Sequence, residues 1–152
     1  MSGELILSAV VWATMATLIS QGVAIGLMAL IGVRPRALAH ELVEIQNPAV
    51  GAAFFVIALT ASLFISPMAS AGFTPDPSLA ETLAWLAGGL VVAAAYTLLA
   101  LLLAHRLLLP RQGEGLRGYI RRELVQEQNA ALTFFFGGLA VTPFVAVVFQ
   151  LI

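Results

Sequence analysis

Hydrophobic residues fill four long stretches of this chain, and the charged residues are confined to the segments between them. No Asp, Glu, Lys or Arg occurs in 5–33, 45–75, 82–104 or 128–152. A helix rising about 1.5 Å per residue needs about twenty residues to cross roughly 30 Å of hydrocarbon, so each stretch is long enough to span a bilayer. The connectors carry a different pattern. Leu116, Ile120 and Leu124 recur every four residues with Tyr119 on the same side, while Arg117, Arg121 and Arg122 project elsewhere; Leu38, Leu42 and Ile45 make a shorter version. Such spacing predicts short amphipathic interfacial helices before the second and fourth spans. The expected fold class is an all-α integral membrane protein with four transmembrane helices. The first stretch follows Glu4 instead of a basic region and exceeds a typical secretory signal core, so it is expected to stay in the mature protein.

Composition agrees with lipid as the solvent. Of the 152 residues, 61% are hydrophobic and 10% are charged, whereas a soluble domain carries about a quarter charged residues to cover its surface. There is no cysteine, which excludes disulfides and thiolate metal sites. The net charge of -1 decides little; its distribution decides more. All seven basic residues are arginines in two connectors: Arg34 and Arg36, then Arg106, Arg111, Arg117, Arg121 and Arg122. The other side of the membrane offers only Glu4, Asp76 and Glu81. By the positive-inside tendency both arginine connectors face the cytoplasm and both termini lie outside it. Trp12 and Trp85 then fall toward the external interface.

A repeat organises the four spans. The segment from Glu41 to Ala49, ELVEIQNPA, returns from Glu123 to Ala131 as ELVQEQNAA, with six of nine positions identical and with both asparagines of the protein included. The spacing fits a duplicated two-helix unit, 1–75 and 76–152, within one membrane domain. Each unit contains an even number of crossings, so the two should be parallel and related by an approximate two-fold axis along the membrane normal. Gly22 and Gly26 in the first span, and Gly88 and Gly89 in the third, have the character of close helix packing positions.

The repeated motif supplies the candidate polar site: Glu41, Gln46 and Asn47 with Glu123, Gln128 and Asn129. Carboxamides both donate and accept hydrogen bonds, so the set could orient a polar solute or a cation at the cytoplasmic mouth. The bland reading is helix capping. Asn47 suits it, since Pro48 disfavours helical geometry at the residue before it and is tolerated in a first turn. Asn129 precedes Ala130, so the second copy is expected to run as an unbroken helix. On a continuous helix Glu41 and Asn47 would stand about 240° apart, and they meet only if the helix breaks between them. Arg111, Arg117, Arg121 and Arg122 form a candidate contact for anionic lipid headgroups, or for an acidic membrane or cytoplasmic protein partner.

Signals of catalysis are weak. His40 and His105 have no metal-pair spacing, His40 with Glu44 reads as a solvated pair, and no phosphate loop or nucleophile elbow occurs. No cofactor, metal site or nucleic-acid partner is expected.

The tandem units, each with a basic turn and an acidic to Asn-x-Ala entry into its second span, resemble the bacterial inner-membrane family called domain of unknown function 350, the YjfL-like proteins. The resemblance rests on Glu41, Asn47 and Ala49, on Glu123, Asn129, Ala130 and Ala131, and on the small residues Gly51, Ala52, Ala53, Gly137 and Gly138 that follow. Pro48 and Val50 depart from the pattern, where small or flexible residues are usual. The resemblance implies a multi-pass protein of the bacterial inner membrane linked to envelope maintenance, with no activity to import. The expected role is a noncatalytic scaffold or accessory subunit that forms a homo-oligomer. The rival is a small channel or transporter whose constriction comes from the paired Gln-Asn motifs, and an intramembrane enzyme stands third.

Overall fold

A computed structural model describes residues 3–70, 79–107 and 113–151. Among the described residues the chain is helical apart from short turns, without a strand. Helices α1 (Gly3–Ile31), α3 (Pro48–Ser70), α4 (Leu79–Leu107) and α6 (Ala130–Leu151) are the long ones. Each contains a segment long and apolar enough to cross a membrane, which makes this a multi-pass membrane protein. The physical reason is that lipid offers no partner to backbone amides, so a spanning segment must satisfy them within its own helix. Two short helices, α2 (Pro35–Val43) and α5 (Leu116–Arg121), fall where the connectors carry helical periodicity, and α5 continues into a π-helical segment, Arg122–Gln126.

The chain turns on residues suited to it. α1 ends where Gly32 adopts φ +110°, a left-handed conformation that costs glycine little, and the Val33 amide donates back to the Met28 carbonyl at 2.9 Å. Arg34 is extended and Pro35 opens α2, since a proline loses nothing at a position whose amide has no helical acceptor. Pro48 opens α3 in the same way. α4 carries Glu81 in its first turn and His105 and Arg106 in its last, the signs that the helix dipole favours.

The long helices pack in the order α1, α3, α6, α4, with α3 and α6 in the middle. α3 and α6 run parallel, as a ladder of contacts along them requires. Near their starts the Asn47 side-chain carboxamide donates to the Leu124 carbonyl; farther along, Val56 lies against Gly137; farther still, Phe64 and Phe144 meet edge to face at 5.4 Å. The approach at Gly137 is close enough that a Cβ there would stand 2.8 Å from a Val56 methyl. Gly22, Gly26 and Gly88 differ from expectation: a Cβ at any of them would meet nothing within 4 Å, so within this chain they are not approach points. Pro143 lies inside α6, and just before it the Thr97 hydroxyl of α4 donates to the Ala140 carbonyl at 3.2 Å.

Three apolar clusters hold the arrangement. Met28, Val33, Leu38, Val50 and Leu124 join α1, α2 and α3 to the π segment. Phe64, Ala93, Val147 and Val148 join α3, α4 and α6. Ala104, Tyr119 and Phe136 seat α5 on α4 and α6. The outward faces of α1 and α4 remain apolar and exposed, as lipid-facing surfaces are, with Leu7, Leu18, Val91 and Leu99 among them.

Candidate functional site

Both copies of the motif form the same turn. Gln46 and Gln128, at matching positions, are the two described non-glycine residues with positive φ, 56° and 49°. Reversal there folds the chain back so that the Asn47 amide donates to the Glu41 carbonyl at 2.9 Å and the Asn129 amide to the Glu123 carbonyl at 2.8 Å. The helix is therefore broken in both copies, and the second does not run through as Ala130 alone suggests. The break is what brings Glu41 to Asn47. Asn47 Nδ2 donates to Glu41 Oε2 at 2.8 Å, and Asn129 Nδ2 to Glu123 Oε2 at 3.0 Å.

The other face of each carboxamide caps the next helix. Asn47 Oδ1 accepts from the Ala49 and Val50 amides at 3.0 and 3.2 Å, and Asn129 Oδ1 accepts from the Leu132 amide at 3.1 Å. Free amides at a helix start need such acceptors, and an asparagine side chain is a preferred one. Each motif is thus a clasp: glutamate on the incoming helix, a left-handed glutamine, and an asparagine that holds the glutamate with one hand and the outgoing helix with the other. The two copies differ in one residue of spacing. Glu41 lies seven residues beyond the cap Arg34, whereas Glu123 lies eight beyond the cap Gly115. The π-helical segment around Glu123 absorbs the extra residue, as single-residue insertions into helices do.

The copies also differ in surroundings. Asn47 is 1% exposed and its Nδ2 makes a second bond, to the Leu124 carbonyl at 2.9 Å, which ties the first motif to the second. Asn129 is half-buried and makes no reciprocal bond among the described residues. Glu41 is buried and pairs with no basic side chain among the described residues. Glu123 instead meets Arg122, Nη1 to Oε1 at 3.0 Å. Gln46 and Gln128 are exposed and lie outside the clasps' side-chain bonds.

Arg122 is the centre of a second cluster. Its Nε donates to Glu114 at 3.1 Å, its Nη1 lies 3.7 Å from Glu127 as well as against Glu123, and its guanidinium carbon stands 5.2 Å from the centre of the Tyr119 ring. Nη2 is buried and has no hydrogen-bond partner among the described residues; the aromatic face provides part of its stabilisation. The Glu114 hydrogen bond above all, with the three carboxylate charges, raises the Arg122 pKa against the cost of desolvation. Burial first, and the Glu123 charge second, push the Tyr119 phenol up, with Arg122 opposing. Sequence patterning missed this node, because nothing in the spacing of arginines tells which one turns inward.

Among the remaining arginines, Arg117 and Arg121 are exposed and make no ion pair among the described residues, and the Arg121 stem lies across Gly32 at the end of α1. Arg111 lies outside the described residues. His40 and Glu44 pair at 2.9 Å on the exposed side of α2. Among the described residues no group of three His, Asp or Glu could hold a metal. Comparison of the chain with family models, with curated proteins and with solved structures finds no match.

Proposed function

We propose that this chain is a noncatalytic membrane scaffold or accessory subunit, assembled from two parallel two-helix units that the repeated motif fastens at one end. The observation that carries the reading is the state of Asn47: both ends of its carboxamide are engaged inside the protein, with Glu41, Leu124 and the first amides of α3. A carboxamide so held positions helices; it has little left to offer a passing solute or a reacting group. Asn129 holds Glu123 and the start of α6 by the same chemistry. The channel alternative retains only Gln46 and Gln128 as exposed members of the paired motif, in a strained backbone that sometimes accompanies function.

The rest of the reading follows from charge. The arginine connectors lie at the cytoplasmic face of a bacterial inner membrane, both termini lie outside, α2 and α5 sit at the interface, and Arg117 and Arg121 meet anionic headgroups. The exposed apolar faces of α1 and α4 suit homo-oligomer contacts as well as lipid. Kinship with the domain of unknown function 350 belongs to the same proposal and rests on the motif residues alone.

The test is the double substitution Asn47→Ala with Asn129→Ala, read by thermal melting and by solute flux in reconstituted vesicles. The scaffold reading expects a lowered melting temperature and no flux through the parent protein. Flux through the parent that the double substitution alters, with melting unchanged, would replace it with the channel.

A further inference from the structure

A trough runs along the middle of the molecule. Its floor is α3 and α6, at Ala53, Val56, Gly137 and Ala140; Leu27 and Leu30 of α1 form one wall, and Thr97 and Leu101 of α4 the other. α5 touches both α1 and α4, so it bridges the walls and closes the end nearest the motifs. The volume is about 390 Å³, within the roughly 300–1,000 Å³ common to small-molecule sites.

Its chemistry is sharply divided. The lining is apolar apart from a few side chains, and nearly all of those are engaged: the Thr97 hydroxyl with the Ala140 carbonyl, the Thr133 hydroxyl with the Asn129 carbonyl, and Glu123 with both Arg122 and Asn129. Arg117, on the closing helix, is the exception. Its aliphatic stem belongs to the almost wholly apolar lining, while the residue as a whole is exposed and makes no ion pair among the described residues. Arg121 stands exposed one turn along α5. An occupant complementary to both features is apolar along the trough and anionic at its rim, beside the exposed arginines.

We infer that the trough binds one anionic phospholipid, an acyl chain lying on the α3–α6 floor and the headgroup phosphate at Arg117. The inference rests on the membrane-spanning reading and goes beyond a general basic surface, since it assigns the lipid a seat. A long apolar cleft supplies the hydrophobic contact; the arginine supplies the preference for charge.

Photo-crosslinking tests this. The full chain is reconstituted in phosphatidylcholine vesicles holding a small fraction of either phosphatidylglycerol or phosphatidylcholine with a diazirine in the tail, and adducts are mapped by mass spectrometry. Adducts should concentrate on the floor around Ala53 and Ala140 and exceed those on outward Val91 and Phe149. Phosphatidylglycerol should label the floor about fivefold more than the neutral lipid, the ratio that one headgroup arginine contributes. Arg117→Gln, a substitution at an exposed position, should bring the ratio close to one with melting unchanged, and Ala140→Phe should remove floor adducts of both lipids. Equal labelling by the two lipids, or labelling spread evenly over the outer faces, would overturn the seat. Covalent dimers from a photoreactive residue placed at 140, without lipid adducts, would give the trough to a second copy and overturn it too. Alkaline carbonate extraction of the same membranes separates the two ideas: release of the chain defeats the membrane reading, whereas retention with unselective labelling defeats only the lipid seat.

Discussion

Asn47 and Asn129 occupy equivalent turns and each holds its own glutamate, but among the described residues only Asn47 reaches across to the other motif. Removing Asn47 leaves a buried Glu41 carboxyl and the Leu124 carbonyl short of a donor as well as two uncapped amides, whereas removing Asn129 leaves Glu123 still held by Arg122. Asn47→Ala should therefore cost about 2–3 kcal/mol and Asn129→Ala about 1 kcal/mol, from the usual penalties for an orphaned polar group and a lost cap. Melting of the two single variants in the same detergent checks the order; equal losses would remove the role of the cross-bond. Tyr119 gives a second prediction. Its phenol pKa is raised in the folded state, first by burial, so the folded chain holds that proton more tightly than the unfolded one. The associated stability is complete below the ordinary tyrosine pKa of 10.0 and is lost as pH rises through the higher folded value. Absorbance of tyrosinate should show a late-titrating phenol that Tyr119→Phe removes.

Helices show how much of the fold a linear reading can recover. Absence of charge marked all four long helices, because the bilayer forces the length and the composition of a spanning segment; the observed ends of α1 and α4 differ from the charge-free limits by two or three residues. Capping at Asn47 was legible through Pro48. The break before α6 was not, since it depends on a glutamine in a left-handed conformation, which no residue preference announces. Nor was the π-helical segment, whose cause is one residue of extra spacing visible only once both caps are known. Glycine was legible by type and misleading by position. Gly137→Ala should separate α3 from α6 and destabilise by about 1–3 kcal/mol, the cost of overpacking, partly offset by better helix propensity. Gly88→Ala, with open space around it, should leave melting unchanged or raise it. A stability loss at Gly88 to match that at Gly137 would mean that another copy packs there.

Across the molecule, both motifs and the Arg122 cluster gather at one end of the helices. Both clasps, the Arg122 cluster and the exposed Arg117 and Arg121 lie around α2, α5 and the starts of α3 and α6. With the proposed orientation, Gly115→Cys should react with a membrane-impermeant thiol reagent only after the cytoplasmic side is exposed; reaction in intact cells would invert the topology. The bond from Asn47 to Leu124 then acquires a meaning in time. Chains emerge from the ribosome amino end first, so α1, α2 and α3 can enter the membrane while the acceptor, 77 residues downstream, has yet to be made. During that interval the first clasp is unfinished, and a nascent chain halted after α4 should be cut by proteases that spare the complete one. Translation of the last third of the chain is thus also the step that seals the first.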